Sequence, residues 1–330
     1  MVAALPLPVI DLSRDEKEVV TALRSACLDH GFFCVSKHGI SQEVIMQQFE
    51  ESKKFYALDL ETKMKYESDH NNIGFTPMGE QTLDPPNQTT GDTKESCYLR
   101  WPEVPADSEL AKLPFMGPNK WPDADLPSFR PVFEAYMTAL ADLSARLTRL
   151  LALALHLPDT WFDDKFDHPF LTCRPIHYAE QASNPASGVF GAGAHTDWGF
   201  TTLLITDGTP GLQLNYKGEW LDVPPVDDAI VVNLGDLLQR WTNDQFKSTL
   251  HRVVTRSSKE RYSCAFFVSP NVNALVECLP TCLKPGETPK HKPITCAAYQ
   301  HGKYLETHSG YAALGATAPS TPACEEEAPL

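Results

Sequence analysis

Residues 193–207 read GAHTDWGFTTLLITD: a histidine and an aspartate two apart, then an apolar run with β-branched residues. Such a run predicts a buried strand from about Phe200. Side chains alternate along extended chain, so His195 and Asp197 are expected to point the same way at the mouth of that strand. Outward from this stretch the pattern repeats. LTCRPIHYAE, GLQLNYK, EWLDVPP, AIVVNLG, TLHRVVT and RYSCAFFVSP are short strand-like runs separated by Gly, Asp, Asn and Pro. Many short strands with this punctuation predict a jelly roll or sandwich.

The first half of the chain has another texture. SRDEKEVVTALRSACLDHG predicts an amphipathic helix, with Ser13 and Glu16 as a capping box and Val19, Val20, Leu23, Ala26 and Cys27 as its apolar face. FFCVSKHGI predicts a strand and turn. SQEVIMQQFEESKKFYAL predicts a second helix with Ile45, Phe49 and Tyr56 on one side. Residues 71–123 are rich in Pro, Gly and polar residues, the texture of functional loops, with KESCYLRW as a strand among them. FRPVFEAYMTALADLSARLTRLLALALHL predicts one long scaffold helix, with Phe133, Tyr136, Leu140, Leu143, Leu147, Leu150 and Ala154 in helical period. The expectation is an α+β chain with a jelly-roll core flanked by helices. Residues 1–125 form an N-terminal region with substrate-side loops, 126–315 the long helix and core, and 316–330 a disordered acidic tail.

Of the 330 residues, 22% are charged and the formal net charge is −15. That balance argues against nucleic acid or an anionic membrane as partner, since both select a basic face. It does not argue against a small anionic substrate, because one local arginine can capture a carboxylate. The nine cysteines form no C-x-x-C, and several lie in apolar runs, so reduced buried thiols are expected. No targeting segment and no membrane-spanning run is read, and a cytoplasmic protein, monomer or weak dimer, is the expectation.

A metal claim needs a third ligand, and STLHRVV offers His251. Strands distant in sequence face one another across a jelly roll, so His195, Asp197 and His251 can close on one ion. Two imidazoles and one carboxylate with open positions opposite suit non-haem Fe(II), although a zinc hydrolase can use the same groups. His30, His38, His70, His156, His168, His291, His301 and His308 have no paired donor at useful spacing and are read as surface or core residues. Arg261 and Ser263 in RYSCAFF share a strand face on a strand taken to neighbour that of His251. A guanidinium beside a hydroxyl can grip a carboxylate. Arg174, four residues before Tyr178, shares its face and is a candidate for an anionic or carbonyl-bearing substrate, a salt bridge to a loop carboxylate being the alternative. Trp198, Phe75, Thr76, Arg100 and Phe267 are further substrate-side candidates, each equally readable as core.

These motifs resemble the 2-oxoglutarate and Fe(II)-dependent dioxygenases related to isopenicillin N synthase. PVIDLS, HGFFCVSKHGI and FYALDLETKMKY are similar to that family's N-terminal region. HTDWGFTTLLITD, NLGDLLQRWTND, KSTLHRVV and RYSCAFFVSPN are similar to its core. Within the family the chain looks most like a plant and algal group, and its core also like fungal thymine dioxygenases. The resemblance implies His195, Asp197 and His251 as iron ligands. It implies Arg261 and Ser263 as the pair that binds the distal carboxylate of 2-oxoglutarate, and Tyr178 as a hydrogen-bonding neighbour of that carboxylate. The family's asparagine and proline beside that tyrosine are here Ile176 and Ala179. Asn233 in NLGD is read as a structural turn residue. The implied reaction uses O2, releases succinate and CO2, and hydroxylates a C–H bond of a small molecule, with ascorbate as reductant. An oxidative cyclase or desaturase of the same fold, and a non-catalytic jelly-roll binding protein, are the competing readings.

Overall fold

The computed structural model describes residues 3–256 and 259–308. The chain opens with β1 (Val9–Asp11), α1 (Glu16–Asp29), β2 (Phe32–Ser36), α2 (Gln42–Tyr56), α3 (Leu60–Met64), β3 (Gly74–Thr76) and β4 (Lys94–Trp101). The helix α4 (Phe129–Ala154) leads into β5 (Phe170–Tyr178), β6 (Ala192–His195), β7 (Thr201–Thr206), β8 (Leu212–Tyr216), β9 (Glu219–Asp222) and β10 (Ala229–Leu234). The last elements are α5 (Asp236–Trp241), β11 (His251–Val253), β12 (Arg261–Ser269), β13 (Leu275–Val276), β14 (Ile294–Thr295) and α6 (Cys296–Thr307). The expected tail and Cys324 lie outside the described residues. The other eight cysteines form no disulfide, and all but Cys278 are buried.

Two sheets form the jelly roll. The larger has the order β1-β2-β10-β7-β12-β5-β4-β3, and the smaller β6-β11-β8-β9. From β5 onward the chain passes back and forth between them, with β5, β7, β10 and β12 in the large sheet and β6, β8, β9 and β11 in the small one. Each crossing carries the chain over the space between the sheets, and that is why residues far apart in sequence converge there. Strands from the first third of the chain extend the large sheet at both edges, so β4 pairs directly with β5.

The long helix meets its prediction. Phe133, Tyr136, Leu140, Leu143, Leu147, Leu150 and Ala154 are all buried, and α4 packs against α1 and α2. Burying each large apolar side chain contributes about 1.5–3 kcal/mol before entropy is subtracted. Helix α1 differs from expectation at its start. The N-cap is Asp15, whose side chain accepts from the backbone N–H of Lys17, while Ser13 instead bonds Asp11. An aspartate nearer the helix supplies the acceptor that the capping-box reading assigned to the serine.

Helix α5 is short, but its first turn fixes the stretch that follows β6. Asp236 N–H donates to the Asp197 carbonyl at 2.8 Å, Leu237 N–H to the Gly199 carbonyl at 3.0 Å, and Gly235 N–H to the Phe200 carbonyl at 2.9 Å. The two backbones approach so closely that a Cβ at Gly235 would overlap the Gly199 carbonyl oxygen. That oxygen is backbone and cannot swing aside as a side-chain tip would. Gly235→Ala is therefore expected to lower stability by about 1–3 kcal/mol, as overpacking does. Urea denaturation followed by circular dichroism checks it; an unchanged midpoint would mean the contact relaxes freely.

Candidate active site

His195 ends β6 and His251 begins β11, and the two are direct register partners in the small sheet. Asp197 lies just beyond β6, in the link to β7. Alternation along one strand is therefore not what aims His195 and Asp197 together. The turn held by α5 does it.

The three side chains point inward with their remaining atoms engaged. His195 Nδ1 pairs with the Gly193 carbonyl at 2.7 Å, and His251 Nδ1 with the Thr249 carbonyl at 3.0 Å. A carbonyl only accepts, so both Nδ1 atoms carry the proton and both Nε2 lone pairs are left free. Burial, and next the neighbouring His251, push His195 down to about 3, so its ring is neutral at neutral pH. Burial opposes ionisation of Asp197. His251 and His195, then hydrogen bonds from Asn233 and Thr202, outweigh that and hold its carboxyl below the usual carboxylate range. Asp197 Oδ2 accepts from Thr202 Oγ1 at 2.5 Å and from Asn233 Nδ2 at 2.6 Å. Its Oδ1 stands 3.9 Å from His195 Nε2 and 3.7 Å from His251 Nε2. Those gaps are too long for hydrogen bonds and match donors sharing one ion. Among the described residues this is the cluster of His, Cys, Asp or Glu placed to hold a metal, its ligand atoms all within 4.8 Å of one another. Its donor set, two imidazole nitrogens and one carboxylate oxygen, fits Fe(II).

Two adjoining cavities meet at this cluster, and His195, Asp197, Arg174, Phe267 and Leu83 border both. The second contains Arg261, Ser263 and Tyr178 as well as His251. Arg261 and Ser263 lie on β12 in the large sheet. They therefore face His251 from across the barrel rather than from a neighbouring strand. Arg261 Nη1 donates to Ser263 Oγ at 3.3 Å, and its guanidinium lies 4.7 Å from the Tyr178 ring centre. Arg261 and Tyr178 are register partners, so the three form a row on one sheet face. Among the described residues no carboxylate pairs with Arg261, which is only 2% exposed.

The substrate-side candidates divide. Trp198 lines the first cavity and stands edge-on to Tyr304 at 5.0 Å, and Phe267 lines both cavities. Arg174 is buried between them and makes no salt bridge to a loop carboxylate. It bonds Ser96 and Gln81 and stacks on Tyr98. Phe75, Thr76 and Arg100 border neither cavity. Phe75 is enclosed against Phe55 and Lys63, and Thr76 is buried on β3. Arg100 is spent on the Phe115, Asn71 and Asn72 carbonyls and Thr172 Oγ1. It ties loops to the sheet from behind the cavity wall, a role invisible in a sequence that does not show where those carbonyls fold. His308, expected at the surface or in the core, is buried with an unpartnered Nε2. Lys94, Gln81 and Tyr98 also border the cavities, and sequence reasoning misses them. Alternation in KESCYLRW is the signal that points to two of them, since Lys94, Ser96 and Tyr98 share a face.

A jelly roll enclosing two imidazoles, a carboxylate and an opposed arginine–serine pair defines the class of non-haem iron oxygenases that consume 2-oxoglutarate. Residues 168–270 match the model of the 2OG-Fe(II) oxygenase superfamily, and residues 7–124 match that of the non-haem dioxygenase in morphine synthesis N-terminal region. A 2-oxoglutarate-Fe(II) type oxidoreductase, hxnY, of Emericella nidulans is 36% identical over 318 residues, covering 91% of this chain and 90% of that protein. Azadirone synthase LFS of Melia azedarach is 35% identical, covering 90% and 92%. The thymine dioxygenase of Neurospora crassa, solved with alpha-KG, superposes with a TM-score of 0.80 at 28% identity, covering 91% of this chain and 96% of that one. It is also solved with thymine. The chain belongs to the 2OG-Fe(II) oxygenase superfamily: it is a 2-oxoglutarate-dependent dioxygenase, an oxidoreductase using Fe(II). No described helix is long and apolar enough to cross a membrane.

Proposed function

We propose that His195 Nε2, Asp197 Oδ1 and His251 Nε2 hold the iron, and that Arg261 and Ser263, flanked by Tyr178, take the distal carboxylate of 2-oxoglutarate. The substrate then occupies the first cavity, against Trp198 and Phe267, with a carbonyl or anionic group toward Arg174. The observation that carries this reading is the division of labour in Asp197. Oδ2 is tied to Thr202 and Asn233 while Oδ1 alone faces two free imidazole nitrogens.

Iron with 2-oxoglutarate and O2 supplies the oxidising power, coupling decarboxylation to succinate and CO2 with hydroxylation of a C–H bond. The chain supplies position. Gly193 and Thr249 carbonyls fix the ring orientations. Arg261 gives a forked, charge-assisted grip that sets the direction of the co-substrate. The aromatic walls of the first cavity exclude water from the reacting bond.

Anaerobic addition of Fe(II) and 2-oxoglutarate should produce a weak visible charge-transfer band, and air should then release succinate. A band that survives unaltered in His195→Ala would overturn the ligand assignment. Asn233→Ala removes a support of the carboxylate without removing a ligand. It should weaken metal affinity by about 10–100-fold, the usual cost of losing such a partner, as read by Fe(II) or Mn(II) titration. Unchanged affinity would show that Thr202 alone suffices.

A further inference from the structure

Arg174 is a buried cation without an anion. It is 6% exposed, and its bonds run to neutral groups: Nε to Ser96 Oγ at 3.0 Å, Nη2 to Ser96 Oγ at 2.9 Å and to Gln81 Oε1 at 2.7 Å. No carboxylate forms an ion pair with it among the described residues. A second cation stands close by. Lys94, on the adjoining strand β4, is 4% exposed and borders the second cavity with Arg174. It belongs to the sheet row that runs Lys94, Tyr178, Arg261.

Charges around this corner do not balance. Asp92 pairs with Lys94 and is fully buried. Asp92 Oδ1 accepts from Gly193 N–H at 2.8 Å and Gln88 Nε2 at 2.9 Å and its Oδ2 from Lys94, and no ion pair joins Asp92 to Arg174. His308 nearby is kept neutral by burial, and then by Arg174 and Lys94, which push it down to about 3. Arg261 lies at the far end of the row and is committed to the co-substrate in the function proposed. One positive charge therefore remains in a desolvated corner, which is costly unless an anion joins it. Asp92 uses one of the three ammonium donors of Lys94, and no other partner of that ammonium is found among the described residues.

We propose that Arg174 and Lys94 together form a carboxylate subsite, so that the substrate is an apolar monocarboxylate whose acid group lies between these two side chains. This rests on the assignment of Arg261 to 2-oxoglutarate. A single carboxylate closes the charge count to zero, whereas a dianion would overshoot it. The rest of the first cavity's wall carries five aromatic side chains, Trp198, Phe267, Tyr98, Phe170 and Tyr304, beside the uncharged polar Thr172, Thr196, Ser269 and Gln300, and it suits a largely apolar body rather than a second charge.

The test is equilibrium binding, read by quenching of tryptophan fluorescence with Mn(II) and saturating 2-oxoglutarate. Phenylacetate, 3-phenylpropionate and 4-phenylbutyrate are each compared with the corresponding primary amide. In the wild-type protein the best acid should bind about 10-fold or more tightly than its amide, the scale of a charged hydrogen bond. That preference should vanish in Arg174→Gln and in the double variant Asp92→Asn/Lys94→Met, which removes the buried pair without stranding a charge. Both variants should keep their affinity for 2-oxoglutarate. Equal binding of acids and amides by the wild type overturns the proposal. So does a tenfold loss of 2-oxoglutarate affinity in either variant, because the cations then serve the co-substrate. If instead Arg261→Ala leaves 2-oxoglutarate affinity unchanged, the underlying assignment of Arg261 is what has failed.

Discussion

Asp197→Ala should abolish succinate release and lower metal affinity by more than about 100-fold, beyond the range seen when only a supporting partner is lost. Asp197 does three things at once. Its Oδ1 faces both imidazoles, its Oδ2 anchors Thr202 and Asn233, and its backbone carbonyl accepts from α5. Alanine keeps the backbone bond and loses the rest. It also removes the negative charge that offsets the ion, and two histidines alone make a poor site for a divalent cation that needs a carboxylate as well. Asp197→Asn separates these effects. It keeps an oxygen for the metal and shape for packing, but its amide cannot accept at both ends. Metal titration with far-UV circular dichroism checks both variants. A folded Asp197→Ala protein that still binds Fe(II) as the wild type does would remove the carboxylate from the ligand set.

Arg261→Ala is the second large effect. Truncating one side of a buried, charge-paired contact costs about 2–5 kcal/mol, so affinity for 2-oxoglutarate should fall by roughly 30-fold or more. Arg261 is also enclosed, with its Nε on the Thr209 carbonyl at 3.2 Å and its face on Tyr178. Arg261→Lys should recover part of the charge but not the fork, and so stay well short of wild type. Metal affinity measured without 2-oxoglutarate should be unchanged in both. If the 2-oxoglutarate dissociation constant does not move, the anchor lies elsewhere in the cavity.

His195 with Asp197, and Arg261 with Ser263, are legible in sequence as residue types at short spacing in or beside a strand, and His251 as a histidine on a later strand that β6–β11 pairing brings to them. The alternation of β5 and β12 also carries Arg174, Tyr178 and Phe267 to the cavity face. What stays hidden depends on loops and on pairing between strands. Asn233 reads as a turn residue satisfying backbone groups, yet its amide reaches the Asp197 side chain from β10. Arg100 reads as a substrate-side candidate in the loop-rich segment before the long helix, with a core role as the alternative. The loops at 71–72 and 115 close over it and claim its N–H groups. Lys94 escapes notice because its burial depends on Asp92, and nothing in the spelling DTK shows that this aspartate turns inward.

The alternation of the chain between two sheets bears on how such a protein changes over time. The proposed metal ligands sit on β6, β11 and the link after β6, and the arginine–serine row sits on β12. The outer wall of the first cavity is drawn from other places: Gln81 and Leu83 from the loop before β4, Gln300 and Tyr304 from α6. Drift in those two segments can reshape what is admitted without disturbing what powers the reaction. Selection for a new molecule can therefore act on a separable part of the chain, while the inner strands, each crossing the barrel and leaning on the next, are held in common.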